Sequence, residues 1–500
     1  VETARLLLEE SRTNKFISDY FRCPDGSFNF EVAENLSDES GYFKFGPGLT
    51  CFGQCSSGKP SHTAKGDLVD VEKDLQIDGS LIRLPFDPDQ VVDNLLFERY
   101  WPSLTCPGSS KSFVRKIYYF FRPFMKVALR KHLQRLYLSR WKTIAFPAWP
   151  VDFSVDNLMR RLLEVSIRSQ QAKQIPFIWF WPDGAPGCAL VTHDVETTAG
   201  RDFCAQLMDL NDRYGIKSAF QVVPEERYEV PPSFLEAIRK REFEVNIHDL
   251  NHDGRLLEDR KTFLQRVEQI NRYGRSFCAK GFRSGALYRN LDWFEELDFS
   301  YDMSVPNAGH LEAQRGGCCT VLPFFNGDLL EIPVTMTQDY SLFNVLKNYS
   351  IDQWKKETAQ IMGLHGLMCI IVHPDYIISE RERRVYEQLL QHLQSLRDND
   401  RVWITTPSEV DQWWRERAQM KLVADGDKWR IEGVGKERAR IAYARIESGR
   451  LVYSLTLTVP QDDLKMNEIV VSGRRNEQGI DKRHARSSRG QKGRYGKGRI

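Results

Sequence analysis

The chain is short of the features that would place it in a membrane, a disulfide-stapled scaffold or a zinc ribbon. Among its 500 residues no apolar run approaches the ~20 that a membrane-spanning helix needs; stretches such as "IPFIWFW", residues 175–181, are far shorter. The opening "VETARLLLEESRTNKF" has no basic-then-apolar leader, which points to a cytoplasmic protein. The chain does not begin with Met, so a removed leader stays compatible with it. Ten cysteines are scattered without a disulfide framework, and Cys51 and Cys55 meet no second close pair, so structural, reduced thiols are expected. An HExxH motif is absent, which removes the zincin proteases. The charge is nearly balanced, formally +2, and gives no reason to expect nucleic acid as a partner.

What is present is a globular composition, 41% hydrophobic and 12% aromatic, in a length that suits two or three domains. Residues 1–186 form an N-terminal region with little periodicity. Their loop-rich stretches ("CPDGSF", "GPGLTCFGQCSSGKPS") alternate with apolar segments around Leu81–Leu84 and Val91–Phe97. Residues 112–142 read as a basic, aromatic helical region broken near Pro123. Their interleaved pattern favours packing on the next domain, with weak association with an anionic surface as the alternative.

From Gly187 to Ala418 strand and helix patterns alternate regularly. "CALVTHDV", "KSAFQVV", "FEVNI", "AKGFR", "FSYDMS", "DLLEIPVT", "LMCIIV" and "RVWITT" read as strands, and amphipathic helices or the short "LDWFEEL" lie between most of them. Repeated units of this length imply a parallel sheet covered by helices, and a count of seven or eight strands leans towards a barrel. Residues 419–472 read as a small antiparallel β appendage, and the Arg/Gly/Ser-rich residues 473–500 as a basic, disordered tail.

In parallel α/β architectures reacting groups gather at the C-terminal ends of strands. His193, Asp194 and Glu196 end one strand here, "NIHDLNHDG" another, and Arg283, Asp302, His373 and Asp375 three more. On a helical turn the four-residue spacing of His248 and His252 sets both imidazoles on one face. A carboxylate from "HDVE" completes a two-His, one-carboxylate set that leaves positions open for water and substrate. A divalent metal lowers the pKa of a bound water to near ~7 and polarises a carbonyl. Asp194 and Glu196, two apart on a strand, would point the same way, so one can bind metal while the other serves as base. His373 is placed to protonate a leaving amine, and Arg283 to hold the base carboxylate ionised. Asp302 and Asp375 are candidates for orienting His373 or binding substrate hydroxyls. His193, His310 and His365 read as structural.

The order and content of these motifs resemble the polysaccharide deacetylases, the NodB-homology carbohydrate esterases. "THDVE", "HDLNH", "GFRSGA" and "IIVHPDY" are similar to the family's first (TFDD), second (H-[ST]-x-x-H), arginine-containing third and fifth motifs. The resemblance implies a distorted seven-stranded (β/α) barrel and a divalent metal, usually Zn2+ and sometimes Co, Ni or Fe. It also implies His248 and His252 as ligands and His373 as the acid. The spacing of Asp194 and Glu196 is similar to the peptidoglycan-deacetylase and allantoinase-like branch, which assigns Asp194 as base and Glu196 as ligand; the reverse stays open. "SYDMS" is similar to a Y-D-S-S stretch of that branch, with Asp302 near the substrate. Gly285 stands where the third motif has proline. The implied activity is metal-assisted hydrolysis of an amide C–N bond, in an N-acetylated carbohydrate or a small non-sugar amide. A catalytically inactive carbohydrate-binding module is the remaining alternative.

Overall fold

The computed structural model describes residues 14–101, 136–426 and 428–455. The basic tail 473–500 lies outside the described residues, as does the part of the 112–142 region before residue 136. No helix among the described residues is long and apolar enough to cross a membrane.

One curled sheet organises the centre. Its strands are β1 (Cys188–Val195), β2 (Ala219–Val222), β3 (Glu244–His248), β4 (Gly281–Arg283), β5 (Tyr301–Asp302), β6 (Phe324–Asn326), β7 (Leu329–Glu331), β8 (Leu367–Ile371) and β9 (Trp403–Thr405). The order is β6-β7-β5-β4-β3-β2-β1-β8, with β9 on β1. All pairings are parallel except β6 with β7. Six helices follow or flank these strands: α1 (Thr198–Arg213), α2 (Pro232–Lys240), α3 (Arg260–Ser276), α4 (Asp352–Met362), α5 (Glu380–Asp400) and α6 (Pro407–Gln419). The two free sides of the sheet meet where the backbone N–H groups of Thr335 and Met336, just past β7, donate to the Cys369 carbonyl of β8 at 3.2 and 3.1 Å.

The resemblance implied seven strands, whereas the eight read from the pattern, "RVWITT" included, are all present. Eight strands are parallel, because β9 pairs with Cys188–Leu190 of β1 while β2 pairs with Thr192–Val195. The single strand expected over "DLLEIPVT" is one arm of a hairpin with β6. Gly327 opens its two-residue turn at φ +60°, a conformation that costs glycine nothing.

Every residue of β1 is buried, as in a strand covered on both sides. Ala189, Val191 and Val195 pack with Phe203 and Leu207 of α1, and Cys188 and Leu190 belong to the other core cluster. Thr197 caps α1, accepting from the Gly200 N–H at 3.2 Å, and Asp259 caps α3, accepting from Thr262 at 2.8 Å. These caps end the polar strand-to-helix loops close to the barrel mouth, where the unusual side chains collect.

The flanking chain packs onto the same body. The hairpin of Ile441–Glu447 and Arg450–Leu455 adds to the strand Ile175–Ile178, so the appendage after residue 419 shares a sheet with residues preceding the barrel. Arg417 of α6 is buried and donates to the carbonyls of Tyr20, Phe21, Ile178 and Trp179. Glu98 and Arg289 form a buried bidentate pair between the N-terminal residues and the barrel.

Candidate active site

Strand alternation aims Thr192 and Asp194 into the barrel and turns His193 outward. His193 is fully buried and hydrogen-bonded by the Val372 carbonyl at 2.9 Å and Asn211 at 3.1 Å. Burial pushes it down to about 4, so it is a neutral structural residue. His365, against the Pro186 carbonyl, is lowered to about 4 for the same reason.

Arg283 reaches from β4 across the barrel. Its Nη1 donates to Asp194 Oδ1 at 2.6 Å and Thr192 Oγ1 at 2.9 Å, and its Nε to the Met303 carbonyl at 2.9 Å. Burial alone would raise the Asp194 carboxyl; Arg283, His248 and His373 outweigh it and hold the group below its ordinary range.

Glu196, His248 and His252 offer ligand atoms that all lie within 4.8 Å of one another. Glu196 Oε1 stands 3.0 Å from His252 Nε2 and 3.8 Å from His248 Nε2, while Asp194 Oδ2 stands 3.7 Å from His248 Nε2. The His248 Nδ1 faces the Arg283 carbonyl at 3.1 Å, which leaves Nε2 as the free donor. Both His248 Nε2 and His252 Nε2 are buried without a hydrogen-bond partner among the described residues. Two orphaned imidazole nitrogens facing one carboxylate are a donor set that fits a divalent metal. Burial raises the Glu196 carboxyl, yet the surrounding histidines, His252 foremost, bring it well below its ordinary value.

The two histidines do not share a helical turn, as their spacing suggested. His248 ends β3, and the chain then turns through Asp249 (φ 58°) and His252 (φ 53°), both left-handed. The Asp/Asn/Gly-rich "HDLNHDG" tolerates that conformation where most sequences would not. Asp249 secures the loop: its Oδ1 accepts from Leu250 N–H at 2.7 Å and its Oδ2 from Gly285 N–H at 3.2 Å. A Cβ on residue 285 would collide with that Oδ2 and sit 3.1 Å from His252 Cδ2. The two departures from the motif pattern, aspartate after the first histidine and glycine in place of proline, therefore belong together. A proline would lack the N–H and would collide with the carboxylate.

His373, past β8, faces Glu196 Oε1 with its Nε2 at 3.5 Å. Its other nitrogen, Nδ1, lies 2.7 Å from Asp339 Oδ1, and its backbone N–H donates to Asp339 Oδ2 at 2.7 Å. Burial lowers the imidazole, but Asp339 and Glu196 raise it well above its ordinary value. Sequence reasoning missed Asp339. It lies in "TMTQDY", immediately before a π-helical turn over Ser341–Val345, with no strand-end signal of its own.

Two expected site residues are elsewhere. Asp375 does not orient His373; it accepts a hydrogen bond from Thr197 Oγ1 and packs against Gly200, at the start of α1. Asp302 ends β5 but turns its side chain off the site, fully buried, accepting from Ser304 N–H at 2.8 Å and Ser304 Oγ at 2.7 Å. Alternation turns it to the face opposite Tyr301, whose hydroxyl donates to Asn246. Its neighbour in register is Glu331. A cavity of about 300 Å³ opens at Glu196, lined also by Thr197, Thr198, Ala199, Glu226 and Arg227.

No family model and no curated protein matches the chain. Solved structures similar to it include a candidate polysaccharide deacetylase from Mycobacterium smegmatis. It is 16% identical, with 50% of this chain and 98% of that one covered and a TM-score of 0.40. Peptidoglycan deacetylase PdaC from Bacillus subtilis is 13% identical over 45% of this chain and 90% of that one, with a TM-score of 0.30. A CE4 family pseudoenzyme from Bacillus anthracis is 10% identical over 45% of this chain and 65% of that one, with a TM-score of 0.30.

Proposed function

We propose that the chain is a metal-dependent amide hydrolase that removes N-acetyl groups from an amino-sugar glycan or its precursor. One observation carries the chemistry. Glu196, His248 and His252 converge between a carboxylate held by an arginine and an imidazole held by an aspartate. The choice of an N-acetylated sugar follows from the motif resemblance.

Glu196, His248 and His252 would hold the ion. When bound, a divalent ion supplies a Lewis acid for the amide carbonyl and acidifies water. Asp194, kept ionised by Arg283, takes a proton from the water whose oxygen attacks the carbonyl carbon. Its second oxygen, Oδ2, faces His248 and is not engaged by Arg283. His373 is pinned through Nδ1, which fixes the ring and leaves Nε2 to give a proton to the departing nitrogen as the C–N bond breaks. The products are acetate and a free amine, and the proton on Asp194 returns to solvent.

Acetate release from N-acetylglucosamine oligomers by the full chain with Zn2+ tests this reading. Release by the wild type, abolished in Asp194→Asn and His373→Ala, is the expected result. Hydrolysis of a small cyclic amide without action on the oligomers would change the substrate class. Binding of oligomers without any hydrolysis would leave a carbohydrate-binding module.

A further inference from the structure

A second concave site lies outside the catalytic cluster. Trp141, Lys142, Ile144, Ala145, Pro147, Ala148, Trp149 and His310 line a cavity of about 240 Å³. The Trp141 and Trp149 rings stand 4.5 Å apart between centroids at 58°, an apolar corner that remains half-exposed to solvent. The Lys142 ammonium sits 5.4 Å from the Trp141 ring centre, at the rim. His310 is 2% exposed, and its Nδ1 has no hydrogen-bond partner among the described residues. Burial pushes its imidazole down to about 4, so the ring is neutral. A neutral imidazole keeps one ring-nitrogen lone pair to accept a hydroxyl proton.

The same loop that carries His310 runs to the catalytic cluster. Glu312 accepts from Gln338, the neighbour of the Asp339 that holds His373, and the Leu311 carbonyl accepts from Ser341 at 3.2 Å. The opposite wall is strapped to this loop as well. Tyr137 Oη donates to the Ala313 carbonyl at 3.3 Å, and Arg315 donates to the Tyr137 carbonyl at 2.9 Å.

We infer that this cavity is a distal subsite for one pyranose ring of a glycan chain whose other end lies at His373, a reading that rests on the proposed deacetylase function. A pyranose has an apolar C–H face and a polar hydroxyl edge. The tryptophan corner suits the first, and His310 Nδ1 with Lys142 Nζ suits the second. The volume is below the usual range for drug-sized ligands, which fits a single ring. A flat apolar patch would suit a lipid surface equally well; a walled cavity with a buried, unpartnered acceptor suits a hydroxylated ligand.

The test measures binding of N-acetylglucosamine dimer and pentamer to the full chain, with acetate release followed in parallel. The wild type should prefer the pentamer by on the order of tenfold. Trp141→Ala and His310→Leu should bring the two affinities together. Trp141→Leu, which keeps apolar bulk but not the aromatic face, should do the same in a chain whose circular dichroism is unchanged. Dimer deacetylation without any length preference, or a preference that all three variants retain, would overturn the subsite alone. Neither binding nor acetate release from the wild type would overturn both the subsite and the function it rests on. Loss of binding to phosphatidylglycerol vesicles in Trp141→Ala, with glycan affinities unchanged, would reassign the patch to a membrane surface.

Discussion

At the residue scale the site is two charged pairs flanking a donor triad, and the pairs differ in how readable they were. Asp194 and Arg283 stand at the ends of apolar strands, so both could be placed from the sequence. Asp339 could not, because it follows an irregular segment and acts through an imidazole 34 residues away. The sequence drew attention instead to Asp375, which is two residues from His373 in the chain yet braces the start of α1. A contact made by an irregular loop across the closure between β7 and β8 leaves no periodic trace. Asp339→Asn keeps the shape of the side chain but removes the charge behind the imidazole. Turnover should fall on the order of 10²-fold with metal content unchanged, and the loss should be smaller than in His373→Ala. Steady-state kinetics alongside metal analysis would check both statements.

At the element scale the long helices and buried strands were legible because their periods are strong and their ends capped. The His248–His252 segment was legible in content and not in shape. Its ligands come together through a left-handed loop held by Asp249 and Gly285, and not through a helical turn. This makes a sharp expectation. Gly285→Pro should weaken metal uptake by about 10–100-fold, the scale typical of a lost supporting contact around a ligand. Adding Asp249→Ser, which removes the carboxylate that collides, should restore much of that affinity. Metal titrations of Gly285→Pro, Asp249→Ser and the double variant would show a non-additive cycle; additive losses would contradict the coupling.

The pairing of β5 with β7 buries Asp302 beside Glu331. Burial raises both carboxyls, Glu331 well above its ordinary range, and the Asp302 carboxyl raises Glu331 further. The folded state therefore binds more protons than the unfolded chain. This contribution is fully present below the unfolded carboxyl pKa of about 4.3 and is lost as pH rises through the folded value. Glu331→Gln supplies an N–H donor that never ionises, so its stability relative to wild type should improve as pH rises. Urea midpoints across a pH series would reveal the trend, and a constant difference would contradict it.

At the scale of the whole molecule the first 186 residues resisted reading because their strands are three or four residues long and lack a repeating period. Their role becomes visible only in three dimensions. They supply Glu98 to a buried pair with Arg289, and they share a sheet with the segment after the barrel. The barrel class and its eight parallel strands were readable from the repeating units, "RVWITT" among them, although β9 occupies only half an edge of β1; the antiparallel β6 was not. These contacts tie the flanking chain to the barrel, and the account depends on what the barrel mouth binds. The most direct measurement is the metal content of the full chain and of its Glu196→Ala, His252→Ala and Asp194→Asn variants, read together with acetate release. A single divalent ion should be present in the wild type and absent from the first two variants. Asp194→Asn should keep the ion and lose turnover. A wild type that takes up no divalent metal, or an ion lost with Asp194 and kept without Glu196, would contradict the account.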